Sequence, residues 1–235
     1  MRFDLDFSKT LHSGPRRFAL QVRLQSNHAR IAILGASGAG KSLALKALAG
    51  LLQPDAGHIR LDGHTLFDAA SGIHLPPQQR RLAYVFQDYA LFPHLNVRQN
   101  IAFGLQRGWR NPRRDADSAE VRYWLEAFHL QAVAHQMPSE LSGGQRQRTA
   151  LARALIAHPR ALLLDEPFAA LDSGLRQRMR QELQALQQQL QVPMVLITHD
   201  PEDAQALGQE VVYMRQGAVV DAAPSQWNEE LAHGE

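Results

Sequence analysis

The sequence predicts an α/β fold with a parallel-sheet core, antiparallel strands in its N-terminal part and an inserted α-helical subdomain. Three observations carry this. Short apolar runs alternate with helical patterns in the first and last thirds of the chain. The segment GASGAGKS, Gly35–Ser42, joins a buried run to a helix pattern. From about Tyr89 to Pro159 the signals turn helical, which reads as a subdomain set into the core. The expected division is a core of residues 1–88 and 158–235 with a helical insertion at 89–157, all within one domain.

The elements follow in order. FALQVRL puts Phe18, Leu20, Val22 and Leu24 on one face and Ala19, Gln21 and Arg23 on the other, the alternation of a half-buried strand. RIAIL at Arg30–Leu34 is a buried run, and a helix pattern follows from Lys41 to Leu52. HIRLDGHTLF reads as a hairpin turning at Asp62-Gly63. LAYVF at Leu82–Phe86 is a further buried strand. In the helical middle, Val121, Trp124, Leu125 and Phe128 fall on one stripe, with Ser118 placed to cap it. PRALLLDEP returns to a buried strand, followed by an amphipathic helix with Leu175, Met179, Leu183, Leu186 and Leu190 on one face. PMVLITHD is a strand with Asp200 as the next helix cap and Pro201 in its first turn. EVVYM and GAVVD pair as a last hairpin.

Composition narrows the class. The chain has 235 residues, 45% hydrophobic and 20% charged, ordinary for a globular protein. No apolar run approaches the ~18 residues that span a bilayer. Asp4 and Asp6 stand where a signal peptide would be apolar. The expectation is a cytoplasmic protein with at most a peripheral membrane role. There is no cysteine, hence no disulfide or thiolate-bound metal. The net charge is only +2, and the cluster Arg107, Arg110, Arg113 and Arg114 reads as a solvated loop rather than a nucleic-acid surface.

GASGAGKS fits G-x-x-x-x-G-K-[ST] between a strand and a helix, as a phosphate-binding loop requires. Gly35, Gly38 and Gly40, with Ala36, Ser37 and Ala39 between them, let backbone N–H groups face phosphate oxygens. Lys41 would reach the β- and γ-phosphates, Ser42 would offer its hydroxyl to Mg²⁺, and Leu43 continues the helix whose N-terminus favours an anion. ALLLDEP ends a buried strand on two carboxylates, which repel unless a cation holds them. Asp165 would hold Mg²⁺, and Glu166 would orient or deprotonate an attacking water. Gln87 and His199 also follow buried strands, where ligands bind in open parallel sheets. Gln87 could join the Mg²⁺ or water shell, and His199 could touch the γ-phosphate. LSGGQ at Leu141–Gln145 opens a second helix, readable as an ordinary capped helix or as an anion site.

Together these motifs resemble the nucleotide-binding subunit of ATP-binding cassette (ABC) transporters. GASGAGKS is similar to its Walker A, Gln87 to its Q-loop, LSGGQ to its signature, LLLDE to its Walker B, AALD at Ala169–Asp172 to its D-loop and His199 to its switch histidine. LPPQQRRLAYVFQDYALFPHLNVRQNIAFGL resembles the importers of molybdate, sulfate, iron and polyamines, and the chain is most similar to molybdate ATPases, partly through LFDAASGIHLPPQQRRLAYVFQD.

The resemblance implies a RecA-like P-loop NTPase that hydrolyses ATP with Mg²⁺. It implies a homodimer sandwiching two ATP molecules head to tail. Ser142, Gly143, Gly144 and Gln145 of one copy then close over the nucleotide of the other, and Asp172 lies at that junction. Two permease subunits and, indirectly, a periplasmic oxyanion-binding protein are the implied partners, on the inner face of the membrane and without nucleic acid. Tyr89, Leu91, Phe92, Pro93 and His94 form an apolar patch, either subdomain core or the seat of a permease helix. The adenine-stacking aromatic is replaced or moved: His12 or Phe18 is the candidate. Ala169 stands where serine is common. The chain ends soon after APSQWNEEL, so no oxyanion-binding regulatory domain is expected on it. The other classes weighed are a soluble ABC ATPase acting on DNA or ribosomes, which tends to carry coiled-coil insertions or two cassettes, and a P-loop kinase, which has no use for Leu141–Gln145.

Overall fold

The computed structural model describes residues 1–106, 110–169 and 171–220. Arg107 of the basic cluster, Ala170 of the AALD segment, Asp221 of the last hairpin and the APSQWNEEL tail lie outside them. In chain order the elements are β1 (Phe3–Ser13), β2 (Arg16–Ser26), β3 (Arg30–Leu34), α1 (Lys41–Ala49), β4 (Ala56–Leu61), β5 (His64–Asp68), β6 (Ile73–His74), α2 (Pro77–Arg80) and β7 (Leu82–Val85). Then come α3 (Val97–Phe103), α4 (Ala119–Ala127), α5 (Gly143–Leu155), β8 (Ala161–Asp165), α6 (Ser173–Leu190), β9 (Met194–Thr198), α7 (Pro201–Leu207), β10 (Glu210–Arg215) and β11 (Ala218–Val220). The chain divides into two compact units, Met1–Leu82 with the described residues from Pro193 on, and Ala83–Val192.

The first unit holds strands in the order β6-β5-β4-β1-β2-β11-β10-β3-β9. β1 and β2 form a long antiparallel hairpin, from Phe3 opposite Ser26 to Ser13 opposite Arg16. β4, β5 and β6 extend it, again antiparallel. The predicted turn at Asp62-Gly63 is present, with φ of 47° and 75°. β1 was not foreseen as a strand, although Phe3, Leu5 and Phe7 alternate and are all buried. At the other end β10, β3 and β9 run parallel. The β10–β11 hairpin lies between β2 and β3, pairing with each in parallel, and so joins the antiparallel region to the parallel one. Ile31–Leu34 and Met194–Ile197 are buried throughout. α1 packs on β9 and β2, and α7 on β3 and β9. α1 ends at Ala49, three residues before the expected Leu52, because Gly50 takes a left-handed φ of 81° and caps the helix.

In the second unit β7 and β8 are neighbouring strands, and α3 packs against both α4 and α5. Ser118 caps α4 as expected, its Oγ accepting from the Val121 N–H at 3.2 Å. α6 buries Met179 and Leu183, with Leu175, Leu186 and Leu190 half-buried beside them. The apolar patch splits: Tyr89 is buried, Leu91 and Phe92 are half-buried, and Pro93 and His94 are exposed. Among the described residues no helix is long and apolar enough to cross a membrane.

Candidate functional site

The first unit builds a phosphate-loop geometry between β3 and α1. Gly35 has no room for a side chain, since a Cβ there would lie 2.3 Å from the Met214 carbonyl oxygen. Gly40 is the N-cap of α1 at φ 99° and, having no side chain, leaves the helix without a side-chain cap. The loop therefore ends on helix N–H groups that no side chain of the cap position satisfies. Lys41 is 4% exposed. Its Nζ donates to the carbonyls of Gly35 at 2.7 Å and Ala36 at 3.0 Å, so the ammonium sits inside the curl of the loop. Ala36, Ser37 and Gly38 are exposed on the rim, while Ser42 and Leu43 are half-buried in the first turn of α1.

His199 belongs to the same sheet edge. Leu34 pairs with Thr198 in the parallel β3–β9 register, so Gly35 and His199 leave neighbouring strands side by side. His199 is exposed and Thr198 buried. The Thr198 hydroxyl donates to Asp203 at 3.3 Å and accepts from the Asp200 N–H at 3.0 Å, which fixes the turn that presents His199. Asp200 caps α7, accepting from the Glu202 N–H at 2.8 Å.

Beside the loop lies a groove of about 620 Å³ lined by Arg17, Phe18, Ala36–Ala39 and Met214–Gln216, among others. Phe18 touches the loop from behind: a Cβ on Gly40 would meet its ring at 3.0 Å. His12 pairs with Arg17 on the adjacent strand and is not among the residues that line this groove.

The second unit places the carboxylates. Asp165 ends β8 and is 6% exposed. The Tyr84 hydroxyl, on neighbouring β7, donates to its Oδ2 at 2.6 Å. Burial first, and the Asp165 carboxylate second, push the Tyr84 phenol far above its ordinary range, so it stays a donor. Tyr84 escaped the sequence reading, although a polar-tipped aromatic in the apolar run LAYVF was a usable signal. Glu166 follows at φ 45°, a left-handed conformation uncommon for a non-glycine residue. That turn separates the two carboxylates: Asp165 stays buried and Glu166 is half-exposed. Gln87 is exposed, two residues past the end of β7.

The same unit carries LSGGQ at the start of α5. Ser142 is the N-cap, its Oγ accepting from the Gln145 N–H at 3.3 Å while Gln145 Oε1 accepts from the Ser142 N–H at 2.8 Å, a reciprocal capping box. Side chains on Gly143 and Gly144 would crowd Leu171 and Leu175, at 3.1 and 3.2 Å. Asp172 caps α6, its Oδ1 accepting from the Leu175 N–H at 3.0 Å. The candidate residues thus gather in two sets: Gly35–Leu43 with His199 in the first unit, and Gln87, Asp165, Glu166, Ser142–Gln145 and Asp172 in the second.

A family model for the ABC transporter matches residues 20–169. The chain belongs to the ABC transporter family. Its ABC relatives include the spermidine/putrescine import ATP-binding protein of Nitratidesulfovibrio vulgaris, 45% identical over 86% of this chain and 53% of that one. The Fe(3+) ions import ATP-binding protein of Pseudomonas fluorescens is 47% identical over 82% of this chain and 53% of its own. The probable sulfate/thiosulfate import ATP-binding protein of Chlorella vulgaris is 43% identical over 85% and 81%. The chain spans about half the length of most curated relatives it matches. Among solved structures it is similar to a bacterial ABC transporter cassette in dimeric form, with a TM-score of 0.76 and 30% identity over 94% of this chain and 96% of that one. A dimeric cassette in a post-hydrolysis state bound to ADP and Pi gives a TM-score of 0.75 at 29% identity, with the same coverage. The fold is therefore that of ABC cassettes, and the expected α/β P-loop NTPase class holds.

Proposed function

We propose that the chain is the ATP-hydrolysing subunit of an ABC importer, and that its cargo is a small oxyanion, molybdate first. The observation that carries the ATPase reading is Lys41, a buried ammonium drawn into a glycine-rich loop at a helix N-terminus. That arrangement suits the β- and γ-phosphates of a nucleotide. The hydroxyl of Ser42, the amide of Gln87 and the carboxylate of Asp165 are hard oxygen donors, the chemistry Mg²⁺ prefers. Bound there, the ion neutralises phosphate charge. Glu166 orients or deprotonates the attacking water, His199 contacts the γ-phosphate, and Phe18 rather than His12 faces the base. Ser142–Gln145 close over the ATP of a second copy, with Asp172 at the junction, so the working form is a homodimer. Its partners are two permease subunits and, through them, a periplasmic binding protein, at the inner face of the membrane.

Molybdate is favoured by the stretch from Leu66 to Asp88. Relatives named for polyamine, sulfate and iron import make those cargoes the second reading. The ATPase test is Glu166→Gln, which should keep MgATP binding and stop turnover; undiminished hydrolysis would sink the role given to Glu166. The cargo test reconstitutes the chain with a permease that co-purifies with it and compares uptake of labelled molybdate, sulfate, iron and spermidine. Uptake of any but molybdate moves the cargo to that solute.

A further inference from the structure

Arg153 lies in the last turn of α5, and its guanidinium reaches the segment that follows Gln87. Nη2 donates to the Tyr89 carbonyl and Nη1 to the Ala90 carbonyl, each at 2.8 Å. The same guanidinium lies 5.3 Å from the centre of the Phe92 ring. Tyr89 and Ala90 are consecutive non-glycine residues in the left-handed region, with φ of 64° and 42°. Such a pair persists only where its surroundings hold it. The Tyr89 N–H in turn donates to the Phe86 carbonyl at 2.9 Å, closing a tight turn with Gln87 and Asp88 at its centre. The Tyr89 hydroxyl is also anchored, donating to the Pro167 carbonyl at 3.2 Å, one residue past Glu166. Burial draws the Arg153 guanidinium down to about 10, against the pull of Asp88, so it is desolvated to make these contacts.

We propose that Arg153 is a positioning residue for Gln87: its two-pronged grip on the Tyr89 and Ala90 carbonyls holds the turn that presents the Gln87 amide. This rests on the role proposed above for Gln87. The grip needs a planar fork, which lysine does not have. It also ties the far end of the helix that begins at Ser142 to the Gln87 turn and, through Tyr89, to the backbone beside Glu166.

The test is Arg153→Lys in the full chain, with steady-state ATPase kinetics and the Mg²⁺ concentration at half-maximal rate as readouts. A loss of about tenfold in kcat is expected, with a several-fold rise in the Mg²⁺ requirement. Metal-free ATP binding should stay within about twofold of wild type, because the grip touches no nucleotide group. The decisive measurement repeats the substitution in a Gln87→Ala background, where a residue acting through Gln87 has little left to lose, less than about twofold. The same fold loss in both backgrounds, or unchanged kcat in the single variant, overturns the proposal. If Gln87→Ala alone alters neither kcat nor the Mg²⁺ requirement, the reading of Gln87 falls first and the positioning role falls with it. Arg153→Gln, which keeps an amide donor but loses the fork, provides the same cycle should Arg153→Lys unfold.

Discussion

Replacing Arg80 by methionine should cost the protein about 3 kcal/mol. Arg80 is fully buried, and its guanidinium is held by backbone carbonyls. Its Nη1 donates to the carbonyls of Ala47 and Leu48, each at 2.8 Å, and its Nε to Leu75 at 2.8 Å. The first two close the last turn of α1, the helix that starts at Lys41, and the third ties the guanidinium to the segment before α2. Nη2 is buried without a partner. Burial lowers the guanidinium from 12.5 to about 10, so keeping it charged costs roughly 3 kcal/mol. Three charge-assisted hydrogen bonds contribute about 1.5–3 kcal/mol each. The difference runs from about 1.5 to 6 kcal/mol, a range that contains the expected ~3 kcal/mol. In a chain of this size each kcal/mol moves Tm by roughly 2–4 °C, so the variant should melt roughly 6–12 °C lower by calorimetry. Arg80→Lys should fall between, because one ammonium keeps the favourable charge at a helix C-terminus but cannot reach three carbonyls. Gly50→Ala supplies a coupled check. A Cβ there would lie 2.6 Å from Arg80 Nε, so the substitution should cost clearly less in the Arg80→Met background. A Tm within about 1 °C of wild type for Arg80→Met would refute the reasoning, as would equal stability of the lysine and methionine variants.

Tyr84→Phe removes the hydroxyl bonded to Asp165 and should lower kcat by roughly tenfold, about 1.4 kcal/mol, while the unfolding temperature moves by only a few degrees; unchanged turnover would make the tyrosine a packing residue alone. Phe18→Ala should weaken MgATP binding by about five- to tenfold if the ring stacks on the base, and His12→Ala should change it by less than about twofold; titration calorimetry on both variants decides between them, and the reverse order would move the base to His12. Ser142→Ala and Lys41→Ala should each be nearly inactive alone. Mixed, they should regain hydrolysis, because a head-to-tail pair then has one intact Lys41 facing one intact Ser142. Absence of any recovery on mixing would place both residues in a site made by one chain.

Much of this molecule can be read locally. The cap residues Ser118, Ser142 and Asp200 sit at helix starts where their side-chain chemistry puts them. Asp62-Gly63 and the GASGAGKS loop are short-range signals too, and both occur where expected. What escaped depends on distant partners. Tyr84 and Asp165 are 81 residues apart, and only the β7–β8 pairing brings them together. Arg80 stands in the polar run PPQQRR, and only the fold brings to it the Ala47 and Leu48 carbonyls of α1 beside that of Leu75. The slot taken by the β10–β11 hairpin, between β2 and β3, is a matter of sheet order that no periodicity encodes. The strand β1 differs: its period-2 pattern is local, but Asp4 and Asp6, the outward half of the alternation, mask it as a charged segment. At Ser142–Gln145 the residues were legible but their division of labour was not, since Gln145 spends its carbonyl oxygen on the cap.

The capping box at the start of α5 also sets the terms on which this helix end can meet an anion. The box consumes the N–H groups of Ser142 and Gln145. It leaves the N–H groups of Gly143 and Gly144, which by position have no acceptor within the helix, and the proton of the Ser142 hydroxyl. Those donors stand on a backbone already ordered by its own side chains and backed by Leu171 and Leu175. On the role proposed for Ser142–Gln145, an arriving phosphate would find this side of the contact already ordered, with only the Ser142 hydroxyl proton left to turn toward it. The entropy lost on docking belongs to the incoming body alone. A surface of this kind behaves as a template rather than a clamp: it can be met and left quickly, and the lifetime of the encounter is set by what the other side brings.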